Sequence, residues 1–203
     1  MKRGTLIKLL GSFAVLGAAA SIAGLGTFAT FTSSTSASQT IASGTVSITL
    51  GTSGPANRLT VAASNLVAGD TVQRAADLIN NGTGSSDNLG SIQLTTSASP
   101  SSTLDTDVVN GLQMTIDKCS IAWTETGPPY TYACGGTITS VLASRAVIGS
   151  SLALSNLTSL ATGSTDHLRV TLTLPAAAPN ALQGQSSAIT YAFTGTQRTA
   201  ASK

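Results

Sequence analysis

Charge is scarce in this chain: Asp, Glu, Lys and Arg make up 9% of its 203 residues. Three of the ten basic residues, Lys2, Arg3 and Lys8, crowd the first eight positions, and the formal net charge of +2 rests on them. Without them, seven Lys and Arg face eight Asp and Glu, a balance near −1. No basic patch remains to attract phosphate, and aromatic side chains, 4% of residues, are too few to stack bases; nucleic acid is therefore not an expected partner. Histidine occurs once, as His167, and glutamate once, as Glu125. A zinc peptidase of the HExxH kind needs two imidazoles a helical turn apart with a Glu as base, so that motif is absent. Asp166 adjoins His167, but the G-x-S-x-G turn that would present a serine nucleophile is missing. The two cysteines form no CxxC pair and have no His nearby. Asp105 and Asp107 in "TLDTDVV" are fewer carboxylates than a calcium loop supplies. The expectation is a protein that is not an enzyme, with no catalytic residues, no cofactor and no metal.

What is present begins with a targeting pattern. The positive start is followed by an apolar stretch over residues 9–25, rich in Ala and Gly. Small residues then offer cleavage after Thr27-Phe28-Ala29 or after Thr35-Ser36-Ala37. Retention as a membrane anchor is the competing reading, since the stretch approaches the ~20 residues a span requires. Export would place Cys119 and Cys134 where thiols oxidise. A disulfide around "CSIAWTETGPPYTYAC" is expected to contribute about 3 kcal/mol by closing a loop of this size; two reduced thiols are the alternative.

More than a quarter of the residues are Ser or Thr, yet the apolar residues are not scattered among them. They alternate. Val46, Ile48 and Leu50 share one face of "TVSITL"; Leu112, Met114 and Ile116 one face of "GLQMTID"; Leu168, Val170, Leu172 and Leu174 one face of "HLRVTLTL"; Ile189, Tyr191 and Phe193 one face of "AITYAF". Period-2 patterning means strands with one buried and one wet face, and Thr, β-branched and polar, suits the wet one. His167 falls on that wet face and reads as a solvated strand residue. Turn-rich stretches at 51–57, 80–88, 97–103, 127–129 and 175–180 separate the runs. The pattern predicts a single all-β sandwich. Two segments are ambiguous: 70–80 has helical as well as strand features, and 141–164 suits a short helix or another strand.

Three phrases in order resemble the TasA/camelysin family: the apolar start running into "GTFATF" and "IASGTVSITL", then "SNLVAGDTVQRAADLINNGT", and finally "ALQGQSSAITYAFTGTQR". The middle of the chain, with both cysteines, has no counterpart. The resemblance implies a jelly-roll-like antiparallel β-sandwich preceded by an N-terminal signal helix. It also implies export from a Gram-positive cell through a dedicated signal peptidase, with cleavage beside Ala29 and Thr30. The resulting layout is a signal over 1–29, a flexible arm over 30–41, the sandwich over 42–198 and a tail over 199–203. Family members that build extracellular fibres suggest a secreted structural protein of matrix or cell surface. Its partners would be further copies of itself joined head-to-tail, and other matrix proteins or polysaccharide. The arm "FTSSTSASQTI" lacks Pro, Gly and charge. Its Phe31, Thr32, Gln39, Thr40 and Ile41 are expected to pair as a donor strand with a neighbour's sheet edge, a contact that does not close and so makes a filament. A leader that binds nothing is the plain alternative. Gly69-Asp70 and Asn81-Gly82 are expected to be turns, with Asp70 bonding its own downstream backbone. Trp123, Tyr130 and Tyr132, inside the cysteine loop, are expected to pack over the disulfide. As a binding loop they are the alternative, which would make the protein an adhesin or carbohydrate-binding module. Camelysin's description as a surface metallopeptidase supplies a second alternative.

Overall fold

The computed structural model describes residues 46–60 and 66–199. The signal segment, the arm with its cleavage and donor residues (Ala29, Thr30, Phe31, Thr32, Gln39, Thr40 and Ile41) and the end of the tail lie outside the described residues.

Alternation becomes strands in every run that carries it. In chain order these are β1 (Ile48–Leu50), β2 (Thr71–Asn80), β3 (Leu89–Ala98), β4 (Gln113–Cys119), β5 (Thr124–Thr126), β6 (Thr131–Ala133), β7 (Ile138–Ala146), β8 (Gly149–Ala153), β9 (Thr165–Thr173) and β10 (Ile189–Gln197). One turn of helix, α1 (Thr103–Thr106), stands between β3 and β4; the Ser102 hydroxyl caps it by accepting from the Leu104 amide. The ambiguous segment 70–80 is the strand β2, because Ala76, Leu78 and Asn80 bury at period two. The other, 141–164, holds most of β7 and all of β8. The "TVSITL" strand is shorter than its pattern, pairing only over Ile48–Leu50.

The strands assemble into a five-stranded sheet in the order β1-β2-β9-β4-β7 and a three-stranded sheet in the order β10-β3-β8, with β5 and β6 as a separate hairpin. Every pairing is antiparallel. From β2 to β4, and again from β7 to β10, the chain changes sheet at each connection, which gives the jelly-roll-like connectivity of two face-to-face sheets. One crossing is clamped by a buried hydroxyl: Thr96 donates to the Val147 carbonyl at 2.6 Å and accepts from the Gly149 amide at 2.9 Å. The core is the set of inward residues from both sheets, among them Leu78, Ile92, Leu94, Met114, Ile116 and Leu168, all fully buried. Among the described residues no closed barrel forms.

The turn after β2 ties β1 in place. The Asn81 amide donates to the Ser47 carbonyl at 2.9 Å and its side chain to Thr49 Oγ1 at 2.7 Å. Gly82 follows because nothing larger fits: a Cβ there would lie 2.5 Å from Asp87 Cβ and 2.9 Å from Thr162 Cγ2. Gly82→Ala is therefore expected to cost about 1–3 kcal/mol through overpacking, read as a lower urea midpoint with an unchanged slope.

Candidate assembly surface

On the side of the sandwich where β1 and β2 face β10, the two sheets leave an apolar cleft. Its larger part, about 260 Å³, is lined by residues including Leu59, Leu66, Val72, Leu172, Ile189 and Tyr191. A smaller part, about 140 Å³, continues along Ile48, Leu50, Leu78, Tyr191 and Phe193. Tyr191 is common to both, and burial pushes its hydroxyl up to about 12, so it stays neutral. Gly69-Asp70 closes the turn at the start of β2: Gly69 takes φ 97°, and its amide bonds the Leu174 carbonyl. The Asp70 carboxylate accepts from the upstream Val67 amide at 2.9 Å, not from a downstream one as the sequence suggested.

The disulfide Cys119–Cys134 is formed, and it staples the β5–β6 hairpin to the end of β4. The hairpin folds back over the outer face of the five-stranded sheet. Trp123 Nε1 donates to the His167 carbonyl at 2.8 Å, and the Arg169 guanidinium lies 4.4 Å from its ring centre. Arg58 grips Glu125 with two nitrogens, at 2.8 and 3.0 Å, and also lies 4.7 Å from the centre of Tyr130. Tyr132 is buried and donates its hydroxyl to Glu125. The Arg58 bond, more than any other partner, holds the Glu125 carboxyl below its ordinary range. His167 does point to the outer face, but it is not freely solvated: this ring is half-buried and its Nδ1 lies 2.7 Å from Asp77 Oδ1. The outward strand position was legible; the cover above it was not.

Every Asp, Glu, His and Cys of the chain falls among the described residues. The acidic groups are engaged by the protein itself. Asp105 is buried, which raises its carboxyl, but bonds from Ser187, Ser102 and Ser101 outweigh that and leave it lowered. Asp107 is lowered by the Asn110 and Val109 amides. Asp117 meets Arg169 at 3.0 Å, and Asp87 accepts the Thr83 amide. Asp166 lies at the end of the core, opposite Lys118 at 2.9 Å. No local sequence signal marks that last pair, whose members stand 48 positions apart. Among the described residues, no three His, Cys, Asp or Glu stand close enough to hold a metal ion. Of the six basic and eight acidic residues described, Arg145 alone is exposed.

In comparison with known proteins, the family described as camelysin metallo-endopeptidase matches residues 6–111, just over half of the chain. The match ends in the turn before β4, so the disulfide hairpin and β7–β10 lie beyond it. No curated protein matches significantly. The metal that the family's description implies has no matching donor set here: the single imidazole is held by Asp77, both thiols are spent in the disulfide, and Glu125 is locked by Arg58 and Tyr132.

Proposed function

The chain belongs to the camelysin metallo-endopeptidase family, and from that premise we propose that it is a surface or secreted structural protein, a subunit of an extracellular fibre or surface layer that acts without hydrolytic chemistry. Copies join when the arm over 30–41 of one subunit pairs, as a donor strand, with a sheet edge of the next. The observation that carries this reading is the apolar cleft between β1–β2 and β10, a place where one more strand would bury surface that the described residues leave uncovered. The near absence of exposed charge among the described residues agrees with it, since like copies meet without mutual repulsion.

Electron microscopy of the exported protein, intact and with residues 31–40 deleted, tests the reading. The intact protein is expected to form filaments and the deletion variant to remain a folded monomer. Filaments from the deletion variant would overturn the arm mechanism. The family's name supplies the rival reading, a peptidase. Casein cleavage by the purified protein that stops on adding a chelator would overturn the non-catalytic role. An adhesin working through the cysteine loop has less support, because Trp123 and Tyr130 already stack against arginines of the chain itself.

A further inference from the structure

We infer that the acceptor for the arm is the free edge of β10, an assignment that rests on the strand-pairing reading just given.

Four strands stand at the edges of the two sandwich sheets: β1, β7, β8 and β10. Edges left bare recruit other strands, and folded proteins usually blunt them with shortness, charge, bulges or cover. Three of the four are blunted. β1 has three residues. β7 carries the exposed Arg145 and two register shifts against β4, and its Ser140 and Val141 carbonyls already accept from Asn156 Nδ2 and the Ser155 amide. β8 has five residues, a shifted register and Ser151 at φ 51°. β10 has none of these devices along most of its length. It runs nine residues, "ITYAFTGTQ", with no charge and no Pro, and keeps register with β3 until Thr196. Among the described residues it pairs on one side only.

The parity of that edge suits an incoming strand. Ser99 donates to the Ala188 carbonyl, so Ala188 and every second residue after it bond toward β3. Ile189, Tyr191, Phe193 and Gly195 therefore turn their amides and carbonyls to the free side. Ile189, Tyr191 and Phe193 are also the β10 residues that line the cleft. A strand added here gains main-chain bonds and covers the cleft at once. The arm's alternation places all its apolar residues on one side: in "FTSSTSASQTI" Phe31, Ala37 and Ile41 share a face with Ser33, Thr35 and Gln39, while Thr32, Ser34, Ser36, Ser38 and Thr40 make a face of hydroxyls alone. The face that carries Phe31, Ala37 and Ile41 would lie over Tyr191 and Phe193, the all-hydroxyl face toward solvent. The occupant is thus the arm of a second copy. The chain's own arm is the competitor, since Val46 and Ile48 lie beside Gly195.

The test uses full-length chains with single cysteines added on outward positions. Ser34→Cys, Ser36→Cys and Ser38→Cys arms are each mixed with Thr194→Cys on β10, or with Ser144→Cys on β7 as control, then assembled and oxidised. A covalent pair with Thr194→Cys and none with Ser144→Cys is expected. In the unmodified assembly, the amides of Tyr191, Phe193 and Gly195 are expected to exchange at least tenfold more slowly than in dispersed protein. Links to Ser144→Cys with unprotected β10 amides would overturn the β10 assignment and leave arm pairing intact. A link formed within one dilute chain carrying both Ser36→Cys and Thr194→Cys would overturn the second copy as occupant. Filaments that persist without residues 31–40 would overturn arm pairing itself.

Discussion

Asp166→Asn is expected to lower stability by about 3–5 kcal/mol, because it breaks a buried ion pair with Lys118. Asp166 is 2% exposed. Its carboxylate accepts from Thr158 Oγ1 at 2.6 Å, the Ser159 amide at 2.7 Å, Lys118 Nζ at 2.9 Å and the Thr158 amide at 3.0 Å. The amide side chain of Asn can keep some of these bonds but leaves the Lys118 ammonium, only 12% exposed, without its counter-charge. A urea titration at pH 7 reads the loss. The double variant Lys118→Met, Asp166→Leu should recover only part of it, because it removes the uncompensated charge but leaves the Thr158 and Ser159 amides without their acceptor. Acid gives a second reading. Burial alone would raise the Asp166 carboxyl, but the Thr158 hydroxyl, the Ser159 amide and Lys118 together bring it from 3.8 down to about 2. A group depressed in the folded state stabilises above its unfolded pKa and loses that contribution as pH falls toward its folded one. The wild type should therefore lose about 2 kcal/mol from this group between roughly pH 4 and pH 2. The Asn variant should lack that part of the acid limb.

Cys119→Ser with Cys134→Ser is expected to cost about 3 kcal/mol, the closure entropy of a short loop, here with a separation of 15 positions. The loss has a local signature. The hairpin bonded to that staple holds Trp123, the only tryptophan in the chain. Its indole is fixed by the His167 carbonyl and covered by Arg169. Without the disulfide, the hairpin is held only by side-chain contacts, those of Glu125 and Tyr130 with Arg58, of Tyr132 with Gln73, and of Trp123 with the His167 carbonyl and Arg169, and its midpoint should fall below that of the sandwich. Tryptophan emission should then shift to the red at lower urea than the β-sheet circular dichroism signal is lost. Coincident transitions would mean that the hairpin and the sandwich unfold as one unit.

How much of this was readable beforehand depends on the range of the interaction. β4, β9 and β10 could be read because their alternation is local and needs no partner. β2 was ambiguous because Ala75, Ala76, Leu78 and Ile79 fit helical spacing too, and only the strand β9 beside it decides between the two. The staple was legible from the cysteines and the targeting pattern. Its docking was not, since Arg58 and Glu125 stand 67 positions apart. For the same reason His167 reads as wet from its own strand, while the cover above it comes from Trp123, 44 positions earlier. The candidate assembly edge was the least accessible feature. A nine-residue alternating run declares a strand, but which strand ends up without a neighbour is fixed only by the order of all the others.

The inward turning of the ionic groups has a consequence for how this molecule meets the world. With Lys118, Arg58 and Arg169 each committed to a carboxylate within the same chain, the outer coat of the described residues is mostly uncharged, rich in hydroxyl and methyl groups. Such a coat exerts little pull or push beyond a few ångströms, so brine and fresh water look nearly alike to it. Recognition is deferred until surfaces touch, and is then decided by fit and by peptide-to-peptide bonding.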